Sequence, residues 1–597
     1  MKTKFMSWIL CLLMIVSLMA GCGTAEKTPA STTGGNTTAA NENANTASEQ
    51  TKTKTYDEFI TVDVFSQQSN YQGIISGWYA KIVKDKFNME LNIISPNVSG
   101  GGDTLYLTRS AAGNLGDLII YQIASGKMQD MATAGLLVDL TPYMDGHQNL
   151  AKYKDAIDFT NENNCNIPGI WAIPSEVSER AATEPFTDTQ LNFGQYTRWD
   201  AYKQLGYPEM NTLEDVLPVM QQIQSIVPTS DSGKKTYAFS IFKDWDGNTI
   251  VAGNLIAQMY GWDNVGFLNV MADDSADPIS VVEDNSPYVR GLKFFFKANQ
   301  MGLLDPESPS QNYDTLTQKY NDGVCLWAPC PWMCAGYNTD EHKAAGKYYD
   351  TMPVKDIKYE TWGCYSKGNP QNGIMVGSQA KDPERLVDFI DWLYSPEGIM
   401  CSDAAYSTGE QGVVWDMVDG KPALTELGYK CITDGANTQM PEEKGGGTYK
   451  DGSGAWLGLK IVSGGEINPN TGFPYDYKLW DSWTQRNITP IEKDWQDFMG
   501  AKNAFEYFTK NNMVVVNPGS GFAYPPETSD YTTIKNQVKE VIKDYSWQAI
   551  YAKDEADFNN LIKKMRDTAN GLGLKTLLEV DRATAEAQKQ ARIAVSK

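Results

Sequence analysis

Several tryptophans in this chain have polar or glycine-rich neighbours, a setting that core packing explains poorly. Trp245 stands between Asp244 and Asp246, and Trp456 follows the run Gly-Ser-Gly-Ala. An indole can stack on the flat C–H face of a sugar ring, while neighbouring carboxylates and amides pair with the ring hydroxyls. Those polar partners are needed because a buried hydroxyl without one costs about 1–3 kcal/mol. These residue types therefore predict a sugar-binding site.

The predicted ligand contacts combine aromatic and polar side chains that lie at strand ends or near predicted hinges. They are Trp245, Trp332, Trp362 and Trp456 together with Asn70, Gln122, Arg180, Asp244 and Glu410. A helix is predicted at about Pro383 to Leu393, with Asp382 able to cap it and Pro383 suited to its first turn. Trp392 lies on the apolar side of this helix and is predicted to be a core residue. Arg198 and Asp200 are as well suited to pairing with each other as to binding a ligand.

The elements that must position these residues begin with strands separated by helices. Strands are predicted at 60–65, 89–94 and 117–121, and helices at about 73–87 and 104–112, from the spacing of their apolar residues. This order predicts an α/β fold with a parallel sheet. Ligands bind such sheets at the carboxyl ends of the strands, where Asn70 and Gln122 stand.

The amino terminus has the layout of a secretory signal, with Lys2 and Lys4 before an apolar run that ends in Ala20-Gly21-Cys22. Small residues before a cysteine resemble a bacterial lipobox, so we expect residues 1–21 to be removed and Cys22 to be acylated. Residues 22–55 are polar and lack aromatic side chains. Such a composition predicts a flexible tether. The chain is therefore expected at the extracellular face of the cell membrane.

Composition excludes several classes of function. The net charge of −23 argues against a nucleic-acid partner, whose phosphates attract Lys and Arg. The chain has two histidines and no nucleophile elbow, phosphate loop or His-Glu-x-x-His motif. A glycan-cleaving enzyme needs only two carboxylates, and 74 acidic residues leave room for such a pair. That enzyme is the alternative to a binding protein.

The cysteines allow two interpretations. Cys325, Cys330 and Cys334 lie close together in an apolar, aromatic run. Zinc sites favour gaps of two to four residues and a fourth ligand nearby, and His147 and His342 are the only histidines in the sequence. Buried free thiols are preferred over a metal site. No cofactor is predicted.

Ordered motifs from about residue 56 to the carboxyl terminus resemble those of the extracellular solute-binding family 1, the lipoprotein components of ABC-type carbohydrate importers. They include Gly135-Leu-Leu-Val-Asp-Leu-Thr-Pro, Gly169-Ile-Trp-Ala-Ile-Pro, Asp382-Pro-Glu-Arg and Asp391-Trp-Leu-Tyr-Ser-Pro-Glu-Gly. Each motif is weak alone, but their order is specific.

The resemblance implies a two-lobe, periplasmic-binding-protein-like fold of type II, with discontinuous lobes joined by a hinge. Lobe 1 is placed at residues 56–170 and 372–403, and lobe 2 at 171–371 and 404–597. The implied function is capture of an oligosaccharide by hinge closure and its delivery, by a monomer, to the transmembrane subunits of an ABC permease. A protein that presents its ligand to a membrane sensor would share this fold, so this function remains a second alternative.

One departure from the family concerns calcium. Many longer members carry a calcium loop with several carboxylates, whereas the corresponding segment here, 228–239, keeps only Asp231. Because calcium takes six to eight oxygen ligands, this loop is predicted not to bind it.

Overall fold

The computed structural model of the chain describes residues 54–99, 103–486, 488–522, 524–525 and 527–597. The predicted signal peptide, the lipidation site Cys22 and nearly all of the tether lie outside these residues, so they stay predictions. Within the described ranges, no helix combines the length and apolarity needed to cross a membrane.

A six-stranded sheet forms the centre of the first half of the fold. Its strand order is β2-β3-β1-β4-β13-β5, in which β13 (Asn372–Val376) comes from a later part of the chain. The elements up to its last strand are β1 (Ile60–Ser66), β2 (Gly73–Ile74), α1 (Gly77–Phe87), β3 (Met89–Ile94), α2 (Pro96–Ser99), α3 (Asp103–Ala111), β4 (Leu118–Gln122), α4 (Lys127–Thr133), α5 (Gln148–Ala151), α6 (Lys154–Asn164) and β5 (Ile173–Pro174). Strand β1 lies in the middle, parallel to both β3 and β4.

The predicted strands and helices of this region are confirmed with small shifts. The three strands agree with the prediction to within one residue at each end. The first helix was expected from Gly73 but begins at Gly77, because Gly73 and Ile74 pair with β3 as an antiparallel edge strand. This pairing involves a distant segment, so the local helical spacing did not show it.

The next part of the chain builds a second core. Its elements are β6 (Tyr196–Arg198), α7 (Trp199–Gln204), α8 (Val216–Ile226), α9 (Val251–Gln258), β7 (Trp262–Val265), β8 (Leu268–Met271), β9 (Ile279–Ser280), α10 (Pro287–Gln300), α11 (Tyr313–Asn321), β10 (Trp327–Ala328), α12 (Pro331–Cys334), α13 (Asp340–Ala344), β11 (Tyr349–Thr351) and β12 (Tyr359–Trp362). Its helices pack around fully buried rings such as Trp199, Trp327 and Tyr288. Arg198 and Asp200 form a two-point ion pair here, at 2.8 and 2.7 Å.

The chain then returns to the first core. It adds β13 (Asn372–Val376), α14 (Pro383–Leu393), α15 (Pro396–Ser402), β14 (Trp415–Val418), β15 (Lys421–Leu424), α16 (Glu426–Thr433), β16 (Ile467–Asn468) and β17 (Phe473–Pro474). Helix α14 has its predicted bounds, because the Asp382 carboxylate caps it by accepting the Arg385 N–H at 3.1 Å and Pro383 fits its first turn. Trp392 is buried on its inner face, as predicted.

The last segment completes the second core with helices. These elements are α17 (Asp481–Thr484), α18 (Pro490–Met499), α19 (Ala504–Lys510), β18 (Val514–Asn517), α20 (Ser529–Ile550), α21 (Glu555–Gly571) and α22 (Leu574–Val595). Buried residues of α18 to α22, among them Trp495, Val538, Ile542 and Met565, belong to the same hydrophobic cluster as Trp199.

Residues Thr55–Lys597 form one compact unit that contains two large hydrophobic clusters. We call the cluster around the six-stranded sheet the first core and the other the second core. The chain passes between them in three crossings, at residues 178–190, 360–373 and 481–490. Two backbone hydrogen bonds hold the start of the first crossing. The Asn369 N–H of the second crossing donates to Ser175 O (2.9 Å), and the Val177 N–H donates to Ile461 O of the first core (3.0 Å).

The packing bears on the predicted lobe boundaries, which stay a prediction. The first two boundaries fall close to the first two crossings. Residues 404–480 were assigned to lobe 2, but they pack in the first core. Side chains of this segment such as Trp415, Ile461 and Trp480 are buried in the first core. The third crossing at 481–490 therefore favours a boundary there over one at residue 403.

The seven cysteines in the described part of the chain are buried free thiols. This confirms the preferred interpretation of Cys325, Cys330 and Cys334. Burial also raises the pKa of these thiols, which keeps them protonated and unreactive.

Candidate functional site

A cavity lies at the carboxyl ends of the parallel strands, where the sequence predicted a ligand site. We call it the large cavity; its volume is about 670 Å³. Asn70 follows β1 here, Ile120 comes from β4, and Glu176 precedes the first crossing. The remaining wall residues come mainly from the segment 431–460 and include Thr433, Asp434, Tyr449, Lys450, Ser453, Trp456, Gly458 and Lys460. Two predicted ligand residues, Asn70 and Trp456, are thus brought together.

Trp456 is held firmly in the wall of this cavity. Its ring stacks on Tyr71 with centroids 5.5 Å apart and planes 26° apart. Its indole N–H donates to Lys450 O at 2.8 Å, and its backbone carbonyl accepts the Ser69 hydroxyl at 2.6 Å. A ring held this way loses little freedom when a ligand stacks on it, which favours binding.

Gly458 allows the Trp456 segment to approach the end of β1. Its φ of +70° lies in the left-handed region, and a Cβ at this position would lie 2.6 Å from the Ser69 nitrogen and 2.8 Å from the Gln68 carbonyl carbon. Only glycine fits both the conformation and the contact. The position of Trp456 over the strand end therefore depends on this residue.

A second predicted tryptophan, Trp362, lines a smaller cavity between the first two crossings. We call it the small cavity; it measures about 370 Å³ and shares Glu176 and Lys460 with the large one. Lys460 Nζ lies 3.8 Å from a Glu176 carboxylate oxygen, and the Asn369 amide also donates to that carboxylate. Glu176 has a φ of +49°, an uncommon conformation for a residue with a side chain. The oppositely charged side chains of Lys460 and Glu176 thus lie close together where the two cavities meet.

Three polar candidates have other surroundings. The Arg180 guanidinium donates to the Glu184 carboxylate, to Gly464 O and to Pro185 O, each at 3.0 Å, which uses most of its donors within the first crossing. Glu410 pairs with Lys444 at 2.5 Å.

Gln122, the third of them, ends β4. It stands opposite Asn372, which lines the large cavity, but Gln122 itself is not part of the lining. The structure therefore does not bring Gln122, Arg180 or Glu410 together with Trp456, and their ligand roles stay predictions.

Asp244, Trp245 and Trp332 lie on the second core, outside the two cavities. Trp245 is 42% exposed and stacks on Tyr313, with centroids 4.8 Å apart and planes 29° apart. The Asp244 carboxylate fixes Tyr313 by accepting its backbone N–H at 2.8 Å. Trp332 is 44% exposed. Single exposed rings are common on protein surfaces, so the ligand roles of these three residues stay predictions.

Sequence reasoning missed several lining residues of the large cavity, including Glu176, Thr433, Tyr449 and Lys460. Glu176 lies two residues after the motif that ends in Pro174, so its place beside the first crossing could have been inferred. The run of three glycines at 445–447 was a signal that the following segment packs closely on another part of the backbone. Nothing local marked Thr433 or Lys460.

Two buried carboxylates hold the segment 461–466 in place beside these cavities. Asp403 accepts the backbone N–H groups of Ile461 (2.6 Å) and Val462 (3.1 Å). Burial raises its pKa to about 6, although four backbone donors oppose the rise. Glu466 accepts the Ser178 hydroxyl at 2.5 Å at the start of the first crossing, and burial raises its pKa as well.

In the segment 228–239, the Asp231 carboxylate is engaged by other side chains of the protein. Asp231 contacts His342 Nε2 at 3.1 Å and also pairs with Lys347. These partners hold the pKa of Asp231 below its usual range against the effect of burial. Across the described residues, no group of three or more His, Cys, Asp and Glu side chains is arranged to hold a metal ion.

Comparison with known proteins gives no match to a protein-family model and none to a curated protein sequence. Solved structures do match. An HMO-binding, ABC-transporter-associated solute-binding protein from Bifidobacterium longum infantis superposes with a TM-score of 0.57 at 14% identity, covering 89% of this chain and 99% of that chain.

Two further matches come from Streptococcus pneumoniae. An EF-hand mutant of the ABC-transporter substrate-binding protein FusA, in complex with fructo-nystose, gives a TM-score of 0.55 at 14% identity over 89% of this chain and 99% of that one. The N-glycan transport solute-binding protein NgtS gives 0.50, with the same identity and coverage. The two-lobe α/β fold predicted from the sequence is confirmed: this chain has the fold of the solute-binding proteins of ABC transporters.

Proposed function

We propose that this chain is the substrate-binding lipoprotein of an ABC importer, which captures an oligosaccharide between its two cores and delivers it to the membrane permease. The observation that carries the proposal is the large cavity. Its wall combines the indole of Trp456, which is held in place by Tyr71, with polar side chains such as Asn70 and Asp434 that can bind sugar hydroxyls. Aromatic faces with interleaved polar groups suit sugar rings. The structures that share the fold include proteins described with oligosaccharide ligands.

The mechanism is a shift between open and closed arrangements of the cores. The first two crossings line the small cavity, and Asn372 of the second also lines the large one. A ligand that touches both cores stabilises the closed arrangement by the contacts it gains there. No covalent step is involved. The acyl chain on Cys22 and the tether keep the captured sugar close to the permease at the extracellular face.

Calorimetry over a panel of oligosaccharides tests the binding function. Trp456→Ala should weaken binding at least ten-fold, about 1.4 kcal/mol. Trp171→Ala is the matched control, because Trp171 is also half-buried with its indole N–H donating to a carbonyl, Ile167 O at 2.9 Å, but lies outside the large and small cavities. Equal loss in both variants, or slow depolymerisation of the bound glycan, would contradict the proposal.

The anchor has a separate test. Cells that express the chain and are fed a fatty-acid probe should label it, and Cys22→Ser should abolish the label. Retained label in the variant would refute lipidation at this cysteine without affecting the sugar-binding proposal.

A further inference from the structure

A second cavity of ligand size lies beyond the one that contains Trp456. We call it the crossing cavity; its volume is about 570 Å³, within the range of about 300–1,000 Å³ typical of ligand pockets. Thr433 lines both this cavity and the large one, and Gln190 lines both this cavity and the small one. The three cavities are therefore neighbours along one cleft.

Both cores and the third crossing build the crossing cavity. Tyr429 and Thr433 come from α16 of the first core, and Trp495 comes from α18 of the second. Trp483 belongs to the third crossing. A ligand in this cavity touches both cores at once, so its binding energy changes when the cores move relative to each other.

The outer part of the crossing cavity is aromatic. The rings of Trp483 and Tyr429 lie with centroids 5.8 Å apart, and the edge of Tyr477 supports Trp483 at 5.0 Å and 86°. Trp483 is half-buried, so a flat ligand face can still reach it. This is the same combination of a braced indole and an open face that Trp456 shows in the large cavity.

The inner part is polar, and acidic and basic side chains are equal in number in each of the two larger cavities. The large cavity has Glu176 and Asp434 with Lys450 and Lys460, and the crossing cavity has Asp340, Asp350 and Glu492 with Lys343, Lys478 and Lys502. Asp350 lines the inner wall and is 7% exposed. Lys343 pairs with Glu492 at 2.7 Å in the same wall. The junction of the large and small cavities carries the Lys460–Glu176 pair. Paired charges offer hydrogen bonds to hydroxyl groups without favouring an ionic ligand.

We propose that the crossing cavity is a second sugar subsite, and that the cleft takes a neutral oligosaccharide long enough to reach from Trp456 to Trp483. This inference rests on the proposed function. One subsite, at Trp456, belongs mostly to the first core; the other joins both cores. Short sugars occupy only the first, whereas longer ones occupy both and stabilise the closed arrangement.

The test begins with an array of neutral and acidic glycans of different length, followed by calorimetry with shorter and longer members of the series that binds. Trp483→Ala should weaken binding of the longer members at least ten-fold and leave the shorter ones unchanged. Trp456→Ala should weaken both. Trp483→Phe keeps a ring and should restore most of the affinity for the longer members, which a folding defect would not allow.

The outcomes separate the two proposals. Failure of the unaltered protein to bind any glycan would refute the proposed function, and this inference with it. If the protein binds glycans but Trp483→Ala has the same effect at every length, or none, the second subsite is refuted and the first remains. Preference for acidic glycans would refute the assignment of a neutral ligand.

Discussion

Gly458 offers the sharpest test of how the binding wall is positioned. Alanine at this residue must adopt a φ of +70°, which costs about 1–2 kcal/mol. Its Cβ would also lie 2.6 Å from the Ser69 nitrogen, where ordinary contacts begin at 3.4 Å. Forcing the backbones apart adds about 1–3 kcal/mol. We therefore expect Gly458→Ala to lower the free energy of unfolding by about 2–5 kcal/mol, a large part of a typical total of about 5–15 kcal/mol.

The same displacement should reduce sugar affinity. It lengthens the hydrogen bonds that hold the Trp456 segment to the strand end, from Ser69 to Trp456 O (2.6 Å) and from Ser66 to Leu457 O (2.7 Å). The stacking ring then moves away from its partners in the cavity. We expect affinity for the bound oligosaccharide to fall at least ten-fold, about 1.4 kcal/mol.

Gly302→Ala is the matched control for this experiment. Gly302 has nearly the same φ, +71°, but no atom lies within 4 Å of the Cβ that alanine would add. It therefore reports the backbone strain alone. Urea denaturation followed by circular dichroism gives the stability of each variant, and calorimetry gives its affinity. If both variants lose the same stability and both keep full affinity, the close approach at Gly458 does not position the site.

Three further predictions concern other parts of the fold. Asp403→Asn should remove a pH dependence of stability. The Asp403 carboxyl takes up a proton at a pKa of about 6 in the folded protein, against 3.8 in the unfolded chain. The unaltered protein should therefore gain up to about 3 kcal/mol of stability relative to the variant as the pH falls from 7 to 4. A constant difference in urea midpoint across this range would contradict it. If the ligand also contacts the exposed ring of Trp245 on the second core, as the sequence predicts, Trp245→Ala should weaken sugar binding at least ten-fold in calorimetry; unchanged affinity would show that Trp245 does not contact the ligand. Elemental analysis should find the same calcium content in the unaltered protein and in Asp231→Ala, since Lys347 already pairs with that carboxylate; loss of one ion per chain in the variant would refute this.

The sequence predicted best the elements whose signals are local. Helix α14 matched to the residue because its cap, its first-turn proline and its apolar stripe all lie within it. The register of β2 on β3 and the packing of Ile461 in the first core depend on residues far away in the chain, and no local pattern reported them.

The site shows the same division. Asn70 and Trp456 were chosen as a strand-end amide and an indole beside glycines, and the fold brings them to one cavity. Arg180 had equally suitable chemistry, but its guanidinium is engaged by neighbours of the first crossing. Whether a polar side chain is free for a ligand depends on such partners, which only the folded structure supplies.

The interleaving of the two cores has a consequence for how the chain is made. The first core needs Val62 near its start and Trp480 far along the chain, and the second needs Trp199 together with helices that end at Val595. The first core cannot be completed before Trp480 is synthesised, and the second cannot be completed before the carboxyl-terminal helices are. Contacts of such long sequence separation form slowly. For that interval both cores present unburied hydrophobic surface. The nascent protein should therefore depend on a chaperone, and carboxyl-terminal truncations should aggregate instead of yielding a smaller binding domain.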